Sequence, residues 1–170
     1  MDQNASRAVH RQQVADLYSA ERDGVYRSLI VVGLNRAKAE ESTQEAFLRL
    51  YAELRNGLAI ENPRAWVYRV AHNLGVDALA LQARESDLSE AMMAAIPSNG
   101  RNAEDGLIED EGVENLRIAV GRLSKQQRLC LELRAQGLRY QDIAEVLRIR
   151  TSTVGEFLRR AFQQLRKSSR

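Results

Sequence analysis

The sequence predicts an all-α protein of two small helical domains joined by a flexible acidic linker. Three observations carry that expectation. Good helix formers (Ala, Leu, Arg, Glu, Gln) dominate, and only two prolines occur in 170 residues. Apolar residues recur at three- and four-residue spacing, with few alternating runs of the kind a half-buried strand needs. The formal net charge of +2 conceals three blocks: residues 1–86 are neutral, 87–115 carry −7 and 116–170 carry +9. Asymmetry of that size marks separate segments, one of them suited to a polyanion.

The first periodic stretch, residues 7–32, carries Val14, Leu17, Tyr18, Val25, Leu29 and Val32. Gly24 is a candidate break in it and Gly33 a candidate C-terminal cap. The second stretch, residues 36–55, has the stripe Ala39, Ala46, Phe47, Leu50 and Leu54, and Asn56-Gly57 stops it. Asn62-Pro63 is a start signal, with Asn as N-cap and Pro at the first helical position. The helix that follows presents Trp66, Val67, Val70, Ala71, Leu74 and Leu81, with Trp66 assigned to the core.

Residues 85–112 change character: Pro, Gly, Ser and Asn mix with the acidic cluster, with a candidate helical turn at 88–95. So long a loop suits a connector between domains better than the inside of one. This places domains at 1–86 and 113–170 and a linker at 87–112. Helical pattern then returns at 113–123, at 125–135 behind a Ser124 cap and before Gly137, at 140–147, and at 152–167.

Several classes of function drop out. One cysteine, Cys130, allows no intramolecular disulfide and no cysteine zinc site; the two histidines, His10 and His72, lack ligand spacing to any carboxylate. No metal and no cofactor is expected. There is no phosphate-binding glycine loop and no nucleophile–base pair of recognised spacing, so no catalytic residue is assigned. No apolar run approaches the length needed to span a bilayer, and the N-terminal residues lack a secretory pattern; the expectation is a cytoplasmic protein with no membrane insertion.

The most specific segment is 137–167. Ile143, Ala144 and Leu147 on one short helix face Val154, Phe157, Leu158, Ala161 and Leu165 on the next. Ile149 seals a tight turn and Ala144 permits close approach, as a helix-turn-helix requires. The outer face of the last helix carries Ser152, Gly155, Glu156, Arg159, Arg160 and Gln163, with Arg148 and Arg150 at its start. Early side chains there suit base edges and the arginines suit phosphates.

With these residues in view, the chain resembles a bacterial RNA polymerase sigma factor of the extracytoplasmic-function group. LSKQQRLCLELRAQGLRYQDIAEVL followed by TSTVGEFLRRAFQQLRK resembles sigma region 4. AEESTQEAFLRLYAEL resembles region 2.2, and NPRAWVYRVAHNLGVDAL the segment from region 2.3 into 2.4. The resemblance implies a sigma region 2-like domain, which docks on core polymerase and recognises and melts the −10 element, and a region 4-like helix-turn-helix domain, which recognises the −35 element. It implies three sets of site residues. Arg148, Arg150, Thr151, Ser152, Thr153, Gly155, Glu156, Arg159 and Arg160 would read the −35 element. Asn56, Asn62, Arg64, Arg69, His72, Asn73 and Asp77 would serve −10 recognition and melting, the loop 56–62 capturing a flipped base. Glu41, Thr43, Gln44, Glu45 and Leu48 would meet the β′ clamp helices of core polymerase. Further implied partners are the polymerase β flap, promoter DNA and an anti-sigma factor.

Two departures from the family pattern stand out. Relatives usually carry an arginine run after the Asp77 position, where this chain has Ala78 to Ala83 before Arg84. Relatives often have a basic residue and Ser where this chain has Gly155 and Glu156. The acidic linker has two readings: a solvated connector, or a cover for the basic C-terminal domain through Glu104, Asp105, Glu109, Asp110 and Glu111. The alternative function is a stand-alone helix-turn-helix regulator with an N-terminal sensing or dimerisation domain.

Overall fold

Local punctuation sets most helix ends. The Asn35 side chain accepts a bond from the Lys38 N–H at 2.9 Å and opens a helix. Asn62 does the same for Ala65 at 3.1 Å, ahead of Pro63. Ser124 and Gln127 exchange side-chain-to-backbone bonds of 3.2 and 2.9 Å, a reciprocal capping box. The computed structural model describes residues 3–90 and 111–168. Among them run seven helices and no strand: α1 (Gln3–Val32), α2 (Arg36–Arg55), α3 (Pro63–Glu90), α4 (Glu111–Gly121), α5 (Lys125–Ala135), α6 (Tyr140–Leu147) and α7 (Thr151–Ser168).

The helices α1, α2 and α3 pack mutually as one bundle. Its buried core is Val25, Leu29 and Val32 from α1, Ala39, Ala46, Phe47, Leu50 and Leu54 from α2, and Val67, Tyr68 and Ala71 from α3. Tyr18 meets Phe47 edge-on, with ring centroids 4.9 Å apart. In the second bundle α7 packs on α4, α5 and α6. Its core holds Leu129, Cys130, Leu133, Leu138, Ile143, Val146, Val154, Leu158 and Ala161. Burial pushes the Cys130 thiol up to about 11, so it serves as a small hydrophobe.

The two bundles touch. α5 lies against α1, α6 lies against α3, and one apolar cluster runs from one bundle into the other.

Five expectations need correction. Gly24 does not break α1, which is continuous from Gln3 to Val32. Its missing side chain is used instead for close approach: a Cβ there would collide with the Tyr68 hydroxyl and stand 2.6 Å from Gln136 Oε1. α3 runs to Glu90, past the boundary drawn at residue 86, because no glycine or proline follows Gly75 in it. Of the candidate turn at 88–95, residues 88–90 belong to α3 and the rest lie outside the described residues, as do Glu104, Asp105, Glu109 and Asp110 of the linker. Leu81 is 58% exposed and is no core residue, since by that point α3 has outrun its partners. α4 begins at Glu111, inside the span assigned to the linker, and α7 begins at Thr151, one residue early.

Candidate nucleic-acid and polymerase interfaces

The helix-turn-helix is built from α6 and α7. Ile143 and Ala144 face Val154, Leu158 and Ala161, all buried. Arg148 ends α6 in the left-handed region (φ 54°) and its N–H returns to the Ala144 carbonyl. The Ile149 N–H bonds the same carbonyl at 3.1 Å, which fixes the turn. This geometry leaves Arg148, Arg150, Thr151 and Ser152 exposed at the start of α7, with Thr153 half-buried behind them.

Further along α7, Glu156 is occupied. Its carboxylate accepts from Arg159 at 3.1 and 2.8 Å and from Arg160 at 2.7 Å. Those bonds hold the Glu156 carboxyl below the usual range, Arg159 first and Arg160 second, so it stays ionised. Two exposed guanidinium groups are thereby aimed at one acid. Gly155 sits above Tyr140, whose ring would lie 3.8 Å from a Cβ there.

In the first bundle the loop 56–62 leads into α3. Asn56 is exposed and is the C-cap of α2, and Asn62 is the N-cap of α3. Arg69 and Asn73 are half-buried and Asp77 is exposed on the same helix. His72 is half-buried, and desolvation, with Arg148 and Lys125 adding to it, lowers its pKa below the ordinary imidazole value. His72 therefore feels the second bundle. Arg64 is committed as well: its Nε donates to Glu21 Oε1 at 2.6 Å, and its Nη2 donates to the Gln136 carbonyl. Tyr68 also donates to Glu21, at 3.1 Å; its pKa is raised by burial and then by that carboxylate.

The candidate polymerase-docking face is the outer side of α2. Glu41 and Gln44 are exposed, Glu45 pairs with Arg49 at 2.7 Å, and Leu48 is 64% exposed. Thr43 does not share that face. It is buried, and its hydroxyl donates to the Ala39 carbonyl at 2.7 Å. Beside Leu48 runs an apolar groove of about 530 Å³ whose walls include Val14, Tyr18, Phe47 and Tyr51. Sequence reading missed the α1 side of this groove, although the periodicity of Val14 and Tyr18 was visible.

Sequence reading also missed the seam between the bundles. Arg27 donates to Glu132 and to Gln136, each at 3.3 Å. Asn62 Nδ2 donates to Asp142 Oδ1 at 3.3 Å. Asp142 in turn caps α6 through the Arg139 N–H at 3.0 Å, and the Arg139 side chain holds its pKa down. The Arg139/Asp142 spacing was a legible capping signal, but nothing local tied it to Asn62. No group of three or more His, Cys, Asp or Glu side chains among the described residues could hold a metal ion.

Comparison with known proteins agrees with both halves. The family model for sigma-70 region 2 matches residues 17–85, and that for sigma-70 region 4 matches residues 114–165. The ECF RNA polymerase sigma factor SigW of Bacillus subtilis is 26% identical over 165 residues, 92% of this chain and 88% of that one. The ECF RNA polymerase sigma factor BldN of Streptomyces coelicolor is 33% identical over 135 residues, 77% of this chain and 50% of that one. Among solved structures, the sigma factor RpoE of Bartonella quintana, in complex with the anti-sigma factor NepR, shares the fold. Its TM-score is 0.65 at 21% identity, covering 93% of this chain and 94% of that one. With both sigma-70 regions present in order on two helical bundles, the chain belongs to the extracytoplasmic-function sigma factors of RNA polymerase.

Proposed function

We propose that this chain is a promoter-specificity subunit: it binds core RNA polymerase, recognises −35 and −10 elements, and helps open the DNA for initiation. The observation that carries the reading is the pairing in one chain of a region 2 bundle and a region 4 helix-turn-helix, in family order. The stand-alone regulator is not favoured, because region 2 occupies the place a sensing or dimerisation domain would take.

The division of labour follows from the chemistry of each face. Leu48, Gln44, Glu41 and Glu45 offer an exposed helix side with a neighbouring apolar groove, suited to helix-on-helix docking on the β′ clamp helices. Thr43 supports that face from behind. The second bundle would contact the β flap. Arg148, Arg150, Thr151, Ser152 and Thr153 enter the −35 major groove, with Gly155, Glu156, Arg159 and Arg160 following. Asn56, Asn62, Arg64, Arg69, His72, Asn73 and Asp77 would serve −10 recognition and melting, with Asn62 and Arg69 in the wall of the cleft beside loop 56–62. Capture of an unstacked base there would offset part of the stacking lost on melting. Sigma factors are non-catalytic regulators of polymerase; bond formation belongs to the core enzyme.

None of the described helices is long and apolar enough to cross a membrane. We place its action in the cytoplasm, with polymerase. The relative of similar fold is bound to an anti-sigma factor, and an inhibitor of that kind is proposed here too.

The test is run-off transcription from DNA selected by core polymerase carrying this chain. Transcripts that require the chain are expected. Failure to co-purify with core enzyme, together with binding to a duplex operator as a free dimer, would return the stand-alone regulator.

A further inference from the structure

A glycine on a reading face brings no side chain to read with. Ser152, Gly155 and Arg159 follow one another at three- and four-residue spacing and share one line along α7. Ser152 and Arg159 are exposed, and Arg159 is held by the Glu156 carboxylate. Between them Gly155 leaves a notch in that line.

Another helix reaches that notch. Tyr140 is the first residue of α6, and its ring crosses to α7: Cε2 stands 3.8 Å from where a Gly155 Cβ would be, an ordinary van der Waals contact. In a phenol Cε2 adjoins the carbon that carries the hydroxyl, so the polar end of the ring is the end laid against α7. Tyr140 is 41% exposed, and among the described residues none bonds its hydroxyl. Its root is firm. Arg139, just before it, gives Asp142 its N–H at 3.0 Å and two side-chain bonds at 3.1 and 3.2 Å, which fixes the first turn of α6. The first helix of a helix-turn-helix ordinarily crosses the phosphate backbone and positions without reading. Tyr140 departs from that division, because its donor and acceptor group lies on the face of the second helix.

We propose that Tyr140 is a specificity-determining residue of the −35 interface: its hydroxyl, admitted to the face of α7 by Gly155, hydrogen-bonds a base edge in the place of a side chain from position 155. Base readout then spans two helices, with α6 supplying what α7 lacks at its second turn. This rests on the −35 reading proposed for α7.

The test uses core polymerase carrying the full chain. It selects DNA from a random duplex pool, and affinities are then measured for the selected duplex and its single-base variants at several salt concentrations. Tyr140→Phe deletes the hydroxyl alone. It should lower discrimination at one or two adjacent −35 positions by about three- to tenfold, the size of one hydrogen bond. The −10 preference should stay, and so should the slope of binding against salt, because no charge is lost. Gly155→Leu sets a branched side chain against Cε2, displaces the ring and should relax the same positions; in that background Tyr140→Phe should add nothing. Equal weakening on every −35 sequence would make Tyr140 a phosphate contact. Unchanged discrimination would leave it a packing residue, and a changed salt slope would route the effect through Arg159. Each of these results, or simple additivity of the two substitutions, overturns the proposal. Ser152→Ala and Arg159→Ala separate its failure from that of the reading beneath it. If they alter the −35 preference and Tyr140→Phe does not, only the role of Tyr140 falls; if they too leave it unchanged, the −35 role of α7 falls with it.

Discussion

Glu156→Gln probes the proposed recognition helix, α7, directly. In the structure one carboxylate takes three bonds from Arg159 and Arg160, at 3.1, 2.8 and 2.7 Å. On the proposed −35 face an ionised acid so placed would do two things: repel the phosphates beside the groove and restrain two guanidinium groups that could otherwise reach them. Removing its charge while keeping its shape releases both arginines. Each phosphate newly neutralised steepens the dependence of log binding constant on log salt by about 0.9. Release of one or both arginines therefore predicts a slope steeper by about 0.9 to 1.8. The measurement is fluorescence anisotropy of full-length protein on duplex DNA between 50 and 200 mM salt, roughly the range over which counterion release dominates. Nonspecific affinity at the low-salt end should rise, and discrimination among sequences should fall if Glu156 accepts from a cytosine N4. An unchanged or shallower slope would refute the restraint reasoning, because the arginines would then already be on phosphates with Glu156 present.

Three further outcomes are expected. Leu158→Ala empties a fully buried position in α7 and should cost about 2–5 kcal/mol, read by chemical denaturation of the helical signal. Leu48→Glu removes a 64% exposed side chain from the proposed docking face; it should weaken core-polymerase binding by about tenfold or more while leaving thermal stability unchanged. His72 has a folded pKa lowered from 6.5, chiefly by desolvation and then by Arg148 and Lys125. The unfolded chain therefore binds the proton more readily. Stability should be complete above about pH 6.5, fall as pH drops from there through the lowered folded value, and level off below it. His72→Asn should flatten that segment of a stability-versus-pH curve.

How much was legible in the sequence depends on how local each signal is. The ends of α2, α5 and α6 agree with the expected 36–55, 125–135 and 140–147 because caps and stops sit next to them: Asn56-Gly57, Ser124 and Gly137. α1 was expected to break at Gly24 because the helix penalty of glycine is local, whereas the close approach of Gln136 that uses it comes from 112 residues away. α3 was drawn short because composition changes before the helix does. The helix-turn-helix was legible since its two faces are close in sequence. The seam was not: Arg64 meets Glu21 at a separation of 43 residues and Gln136 at 72, and helical periodicity says nothing about which charge a distant helix will bring. Thr43 shows the same limit on a smaller scale, since its place behind the docking face follows from how α2 is rotated against α1 and α3.

The unbroken run of α3 to Glu90 has a mechanical consequence. Twenty-eight residues at ~1.5 Å each make a strut about 42 Å long, with the loop proposed to receive a base at one tip and the root of the connector at the other. The connector is therefore anchored far from the loop, and the strut sets the direction from which the second bundle departs. One base pair of spacer moves the −35 element by ~3.4 Å, a change the connector can absorb. A kink in the strut would swing the anchor through a much larger arc. Spacer tolerance in promoters of this protein should thus depend more on the stiffness of residues 74–90 than on the length of the connector itself.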